Sequence, residues 1–151
     1  MQELIEKAQQ LFNDIPRPAH FTNYVHCCEC AEHDESLQAH SPETIGYDEL
    51  GNPAWDPICF ATEDAFLYYF PALVRLALKG SEDAYYFDQF LSHVILDGPR
   101  NRRWLSFSAE QRQLVAEVLR YMLEHRTEDV DKNCDADRLL EAISIWADNG
   151  N

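Results

Sequence analysis

At 151 residues, 46% of them hydrophobic, the chain is long enough to bury a core without disulfides and too apolar to be disordered. Its 27 acidic side chains against 12 basic ones leave a formal net charge of -15. Such a field repels phosphate backbones and anionic lipid, so no nucleic-acid partner is expected, and a cation or a basic protein is the natural complement.

Helical spacing dominates the chain. Leu4, Ile5, Ala8, Leu11, Phe12 and Ile15 define a first helix, stopped by Pro16 and Pro18. Ala19 to His26 reads as extended or looped. A second helix starts within Cys27 to Glu29 and runs through Leu37. Ser41-Pro42-Glu43 carries the marks of a third start, a short helix ending near Gly51, and Asn52 to Cys59 reads as a loop. Thr62-Glu63-Asp64 opens the fourth helix, with Phe66, Tyr69, Phe70, Leu73, Leu76 and Ala77 inward and a kink or break at Pro71. The fifth turns Phe87, Phe90, Leu91, Val94 and Ile95 inward and ends at Gly98-Pro99. Ser108 and Gln111 form a capping box for the sixth, which is expected to bury Leu114, Val115, Val118, Leu119, Met122 and Leu123. The last helix, Ala136 to Ala147, is expected to bury Leu139, Leu140, Ile143 and Trp146. With no alternating strand run and no linker, the expected architecture is all-α, one domain over residues 1–151 with about six or seven helices. Its core includes Phe70, Phe90, Leu119 and Trp146.

Met1-Gln2-Glu3-Leu4-Ile5-Glu6 lacks the basic start of a signal peptide, and Ala65 to Val74 is too short to cross a bilayer. A cytoplasmic protein without membrane spans is expected. Charge is uneven. Between Arg17 and Arg75 stand ten acids and no Lys or Arg, and Arg100, Arg102 and Arg103 gather later. Both groups read as solvated surface, or the arginines pair with the acidic half or cover the end of the fifth helix.

The chemistry concentrates in His26-Cys27-Cys28-Glu29-Cys30-Ala31-Glu32-His33. Three of the chain's five cysteines lie here, an odd count that fits reduced thiols or a metal site better than a disulfide scaffold. Cys27 and Cys30 form a C-x-x-C pair, and His33 follows Cys30 at helical i, i+3 spacing. Thiolate and imidazole are the donors zinc prefers, four in a tetrahedron. Cys27, Cys30, His33 and His26 are therefore the candidate metal ligands, with His40, Cys59, Cys134 or a nearby acid as other sources of the fourth. No second C-x-x-C completes a zinc ribbon, and no βαβ context supports a thioredoxin-like dithiol. The same residues also fit plain packing, as small buried thiols with locally bonded histidines.

Three pieces together resemble a bacterial domain family of unknown function: Ile15-Pro16-Arg17-Pro18, the His26–His33 segment, and Phe66-Leu67-Tyr68-Tyr69-Phe70-Pro71-Ala72. Phe107-Ser108-Ala109-Glu110-Gln111-Arg112 is similar to that family's later helix start. The resemblance spans about residues 15 to 123. It implies that His26, Cys27, Glu29, Cys30, Glu32 and His33 belong to a recurrent H-C-x-E-C-x-E-H motif, and it supplies no activity.

Three functions compete. A non-catalytic binding or interaction module with a structural metal site is the first, and an immunity-type inhibitor of a basic toxin is one version of it. A zinc enzyme is the second, with three protein ligands, an open position for water, and Glu29 or Glu32 as proton acceptor. No H-E-x-x-H or deaminase arrangement supports that second reading. A thiol sensor built on Cys27, Cys28 and Cys30 is the third.

Overall fold

The structure is a computed structural model, and it describes residues 1–147. Among these residues there are nine α-helices and a 3-10 turn, with no strand beyond isolated bridges such as Thr22 to Ala61. The helices are α1 (Gln2–Phe12), α2 (Cys28–Gln38), α3 (Tyr47–Leu50), α4 (Glu63–Lys79), α5 (Phe87–Ile95), α6 (Arg102–Ser106), α7 (Ala109–His125), α8 (Thr127–Lys132) and α9 (Ala136–Trp146). The 3-10 turn is Pro57–Phe60.

The all-α expectation holds. The central element is α4, packed against α1, α5, α6 and α7, while α9 covers α5 and α7. Thr62 caps α4 by accepting from the Ala65 N–H, and the Ser108–Gln111 capping box opens α7. Pro71 lies inside α4 without ending it and is buried. Beside it, Phe70 is the aromatic hub: its ring meets Phe12 at 5.1 Å, Phe107 at 4.8 Å, Phe66 at 5.6 Å and Phe90 at 5.9 Å. Phe107 passes the contact on to Trp146, whose indole N–H donates to the Val94 carbonyl at 2.8 Å. Phe70, Phe90, Leu119 and Trp146 are all fully buried.

Several local expectations fail for physical reasons. Ser41 starts only a turn, because Gly46 is extended and α3 begins after it, with the Gly46 N–H donating to Glu49 Oε2 at 2.8 Å. The run read as a loop before Cys59 contains the 3-10 turn, opened by Asp56 and Pro57. The short helices α6 and α8 carry too few residues to show a period. In α8's entry, Arg126 donates to the Leu78 and Gly80 carbonyls, satisfying groups that the end of α4 leaves unpaired. Leu123 and Leu140 are exposed and Ile143 is half-buried. The apolar stripe of α9 runs instead through Leu139, Ala142, Ile145 and Trp146.

Candidate metal centre

The loop that feeds α2 is fixed before any ligand is considered. Buried Asp34, in the middle of α2, accepts from the Phe21 N–H at 2.6 Å and the Thr22 N–H at 3.1 Å through one oxygen. Its other oxygen meets Gln38 Nε2 at 2.6 Å and His20 Nδ1 at 2.8 Å. Burial works against the Asp34 carboxylate, but these four contacts outweigh it and hold the carboxyl below its usual range. Thr22 Oγ1 donates to the Cys30 carbonyl at 2.7 Å, and the Thr62 N–H donates to the Phe21 carbonyl, tying the loop to the start of α4. At the other end of α2, Arg17 donates to the Gln38 and His40 carbonyls and Tyr69 to His40.

On this base Cys27 is the N-cap of α2, with extended backbone and its sulfur accepting from the Cys30 N–H at 3.5 Å. The Cys27 and Cys30 sulfurs lie 3.4 Å apart, and His26 Nδ1 lies 3.7 Å from the Cys30 sulfur. One donor atom from each of His26, Cys27 and Cys30 falls within 4.8 Å of the other two. Tetrahedral zinc bonds of about 2.3 Å to sulfur and 2.0–2.1 Å to nitrogen put donors roughly 3.5–3.8 Å apart, so the trio has the size of three corners of that tetrahedron. His26 and Cys27 are exposed, and Cys30 is buried.

The Cys30 N–H, with help from the His26 and Cys30 side chains, brings the Cys27 thiol down to about 7. Cys30 moves the other way, raised by its contact with the Cys27 sulfur, by burial, and by the charges of Cys27 and Glu29. A lowered pKa populates thiolate at lower pH. In metal-free protein, iodoacetamide labelling of Cys27 is therefore expected to rise with pH through a midpoint near 7. Peptide mass spectrometry follows it, and a Cys27 midpoint at or above the ordinary thiol value of about 8.5 contradicts the N-cap account.

His33, expected as a ligand, does not join the cluster. Three helical residues turn it roughly 60° away from Cys30. Its fully buried ring occupies a slot between Phe60, stacked at 4.5 Å, and Trp55, also at 4.5 Å. Among the described residues neither ring nitrogen has a hydrogen-bond partner, and Glu29 Oε1 approaches Nε2 only to 3.7 Å. The other sources considered for a fourth ligand lie elsewhere. His40 Nδ1 meets the Ser36 carbonyl at the far end of α2, and Cys134 is exposed between α8 and α9.

Cys59 belongs to a second group that the sequence reading passed over. Buried Asp56 accepts from the Ile58 N–H at 2.9 Å, Gln89 Nε2 at 2.9 Å and His93 Nε2 at 2.8 Å. Buried Arg103 donates to the His93 carbonyl at 2.8 Å, lies 3.2 Å from His93 Nδ1, and packs 4.0 Å over the Phe66 ring. Arg103 therefore covers the end of α5 rather than facing solvent, and Asp34 and Asp56 are likewise interior. Since Arg103 can only donate, His93 Nδ1 must accept and Nε2 carries the proton given to Asp56. Burial keeps His93 neutral by lowering its pKa, against the pull of Asp56. A sulfur, a carboxylate and an imidazole nitrogen come within 4.8 Å of one another here. The chemistry of a nucleophile is nonetheless missing, because burial and the Asp56 charge raise the Cys59 thiol and the free lone pair of His93 is taken. The guanidinium beside His93 also disfavours a cation. These residues lock the 3-10 turn to α5 and α6. The signal in the sequence was Gln89 and His93, two polar residues four apart and so on one face of α5.

The chain matches no family model, no curated protein and no solved structure. No helix among the described residues is long and apolar enough to cross a membrane.

Proposed function

We propose that this chain is a non-catalytic metal-binding module, with a zinc-class ion held by the thiolates of Cys27 and Cys30 and by His26 Nδ1. The observation that carries the reading is the spacing of those donors on a loop and helix start already fixed by Asp34 and Thr22. Exposed Glu32 and Glu35 and half-exposed Glu29 add negative charge that favours a cation and a basic protein partner. The fourth position is left to solvent or to a donor brought by that partner. The enzyme reading gains the open position but lacks an enclosed site, because His26 and Cys27 lie exposed at the surface. Within the H-C-x-E-C-x-E-H resemblance, His26, Cys27 and Cys30 are the metal-holding members, and His33 is the side chain that packs α2 on Trp55 and Phe60.

Elemental analysis of protein purified without chelator or nickel resin tests this. About one equivalent of zinc is expected in the wild type, and Cys27→Ser, Cys30→Ser and His26→Ala each lose it. His33→Phe keeps the metal, and because it removes two buried unpaired nitrogens it leaves stability equal or higher. Zinc below about 0.2 equivalents in the wild type, or lost in His33→Phe with the fold intact, overturns the three-ligand assignment.

A further inference from the structure

Cys27 and Cys30 differ in a way that a static metal clamp does not need. Cys27 is exposed, and as the N-cap it has extended backbone, φ -160° and ψ 171°, with its carbonyl accepting the first helical bond from the Ala31 N–H at 3.1 Å. Cys30 is buried directly behind it, its sulfur 3.4 Å from that of Cys27. A disulfide needs the sulfurs at about 2.05 Å, an approach that rotation of the exposed Cys27 side chain can supply once its long bond from the Cys30 N–H, 3.5 Å, is released. The outer sulfur is open to reagents in solution, whereas the inner one is shielded from them and faces the outer.

We propose that Cys27 and Cys30 form a thiol–disulfide exchange site for low-molecular-weight disulfides, and that its closure expels the metal; the second part rests on the metal reading above. The Cys27 thiolate attacks one sulfur of the small disulfide. The new Cys27–sulfur bond forms as the old sulfur–sulfur bond breaks, and the first small thiolate leaves and takes up a proton. Cys30 then attacks Cys27 Sγ, the mixed disulfide breaks, and the second small thiolate leaves. The two protein thiolates lose two electrons, the small disulfide gains them as two thiols, and zinc departs unchanged as the divalent ion. His26 Nδ1, 3.7 Å from the Cys30 sulfur, is placed to take that thiol's proton when no metal is bound. Cys28 is exposed next to Cys27, but a bond between adjacent cysteines closes a small ring that twists the peptide between them out of plane at a cost in strain, whereas the Cys30 sulfur already lies 3.4 Å away. Exchange is therefore directed to Cys30.

The test uses the full chain, reduced and zinc-loaded, with glutathione disulfide as the probe. Expected are a mass loss of two hydrogens, a Cys27–Cys30 cross-link in peptide mapping, and about one zinc released to a chromogenic chelator per cross-link. All three reverse with dithiothreitol. Cys28→Ser/Cys59→Ser/Cys134→Ser behaves like the wild type. Cys30→Ser stops at a glutathione adduct on Cys27, and Cys27→Ser gives neither adduct nor cross-link at this site. Adducts on Cys28, Cys59 or Cys134 with the pair still reduced overturn the exchange site. A cross-link that forms while zinc is retained overturns the coupling to metal. A cross-link in protein that never takes up zinc overturns the metal reading and leaves the exchange site standing.

Discussion

Asp56→Ala is expected to destabilise the protein by about 3–5 kcal/mol, the range for removing one partner from a buried ionic network. The carboxylate, almost fully buried, is the acceptor for His93 Nε2–H, the Gln89 amide and the Ile58 N–H. Alanine leaves the His93 Nε2–H and the Ile58 N–H buried without a partner, and the Gln89 amide with only the Leu50 carbonyl at 2.8 Å. It also removes the only acidic group in the network that includes buried Arg103. Asp56→Asn keeps the shape and some acceptor capacity, so about 1–3 kcal/mol is expected there. Urea unfolding followed by circular dichroism checks both, read at constant denaturant slope. A loss below about 1 kcal/mol in Asp56→Ala contradicts the network as described. The same network makes stability depend on pH. The folded pKa of His93 lies below its unfolded value, so the unfolded chain binds the extra proton and stability falls as pH drops below about 6.5. His93→Gln is expected to flatten that part of the profile.

Phe90→Ala is expected to cost roughly 3–5 kcal/mol, since a cavity adds to the lost transfer energy. Phe90 is fully buried on α5, 5.9 Å from Phe70 and 6.0 Å from the stacked ring of Phe87. The surrounding rings belong to different helices already packed together, so the site cannot collapse onto the gap. Phe90→Leu keeps most of the volume and should retain more than half of the lost stability. Thermal unfolding measures both, and near-equal melting points for wild type and Phe90→Ala contradict the hub around Phe70.

The fold was legible where the helices are long. Both capping signals at Thr62 and Ser108 hold, and so do the inward faces of α1, α4 and α5, because 3.6-residue spacing over two or more turns marks one face. On α9 Leu139 and Trp146 are buried as expected, whereas Ala142 and Ile145 hold the core positions expected of Leu140 and Ile143. Leu140 reads as core by type, yet Ala142 and Ile145 are the buried residues, since composition does not show which face of α9 the neighbouring helices cover. Helices α6 and α8 were invisible because five or six residues carry no period, while α3 ends near Gly51 as expected but begins later than the start signal at Ser41. At the site, the local pair Cys27 and Cys30 could be read from the chain, as could His26 beside it. His33 could not be placed, since its ring is captured by Trp55 and Phe60, more than twenty residues downstream. The Asp56–His93–Arg103 network escaped for the same reason: its members come from three elements, and only tertiary packing joins them.

X-ray absorption at the zinc edge, on full-length protein loaded with one equivalent of zinc, tests the central claim most directly. The proposed three-ligand site predicts a first shell of two sulfurs at about 2.3 Å and two lighter donors at about 2.0–2.1 Å, with an imidazole outer-shell pattern from His26. The His33→Phe spectrum should superimpose on that of the wild type. A shell of nitrogen and oxygen alone, or a wild-type imidazole signal that disappears in His33→Phe and persists in His26→Ala, contradicts the account.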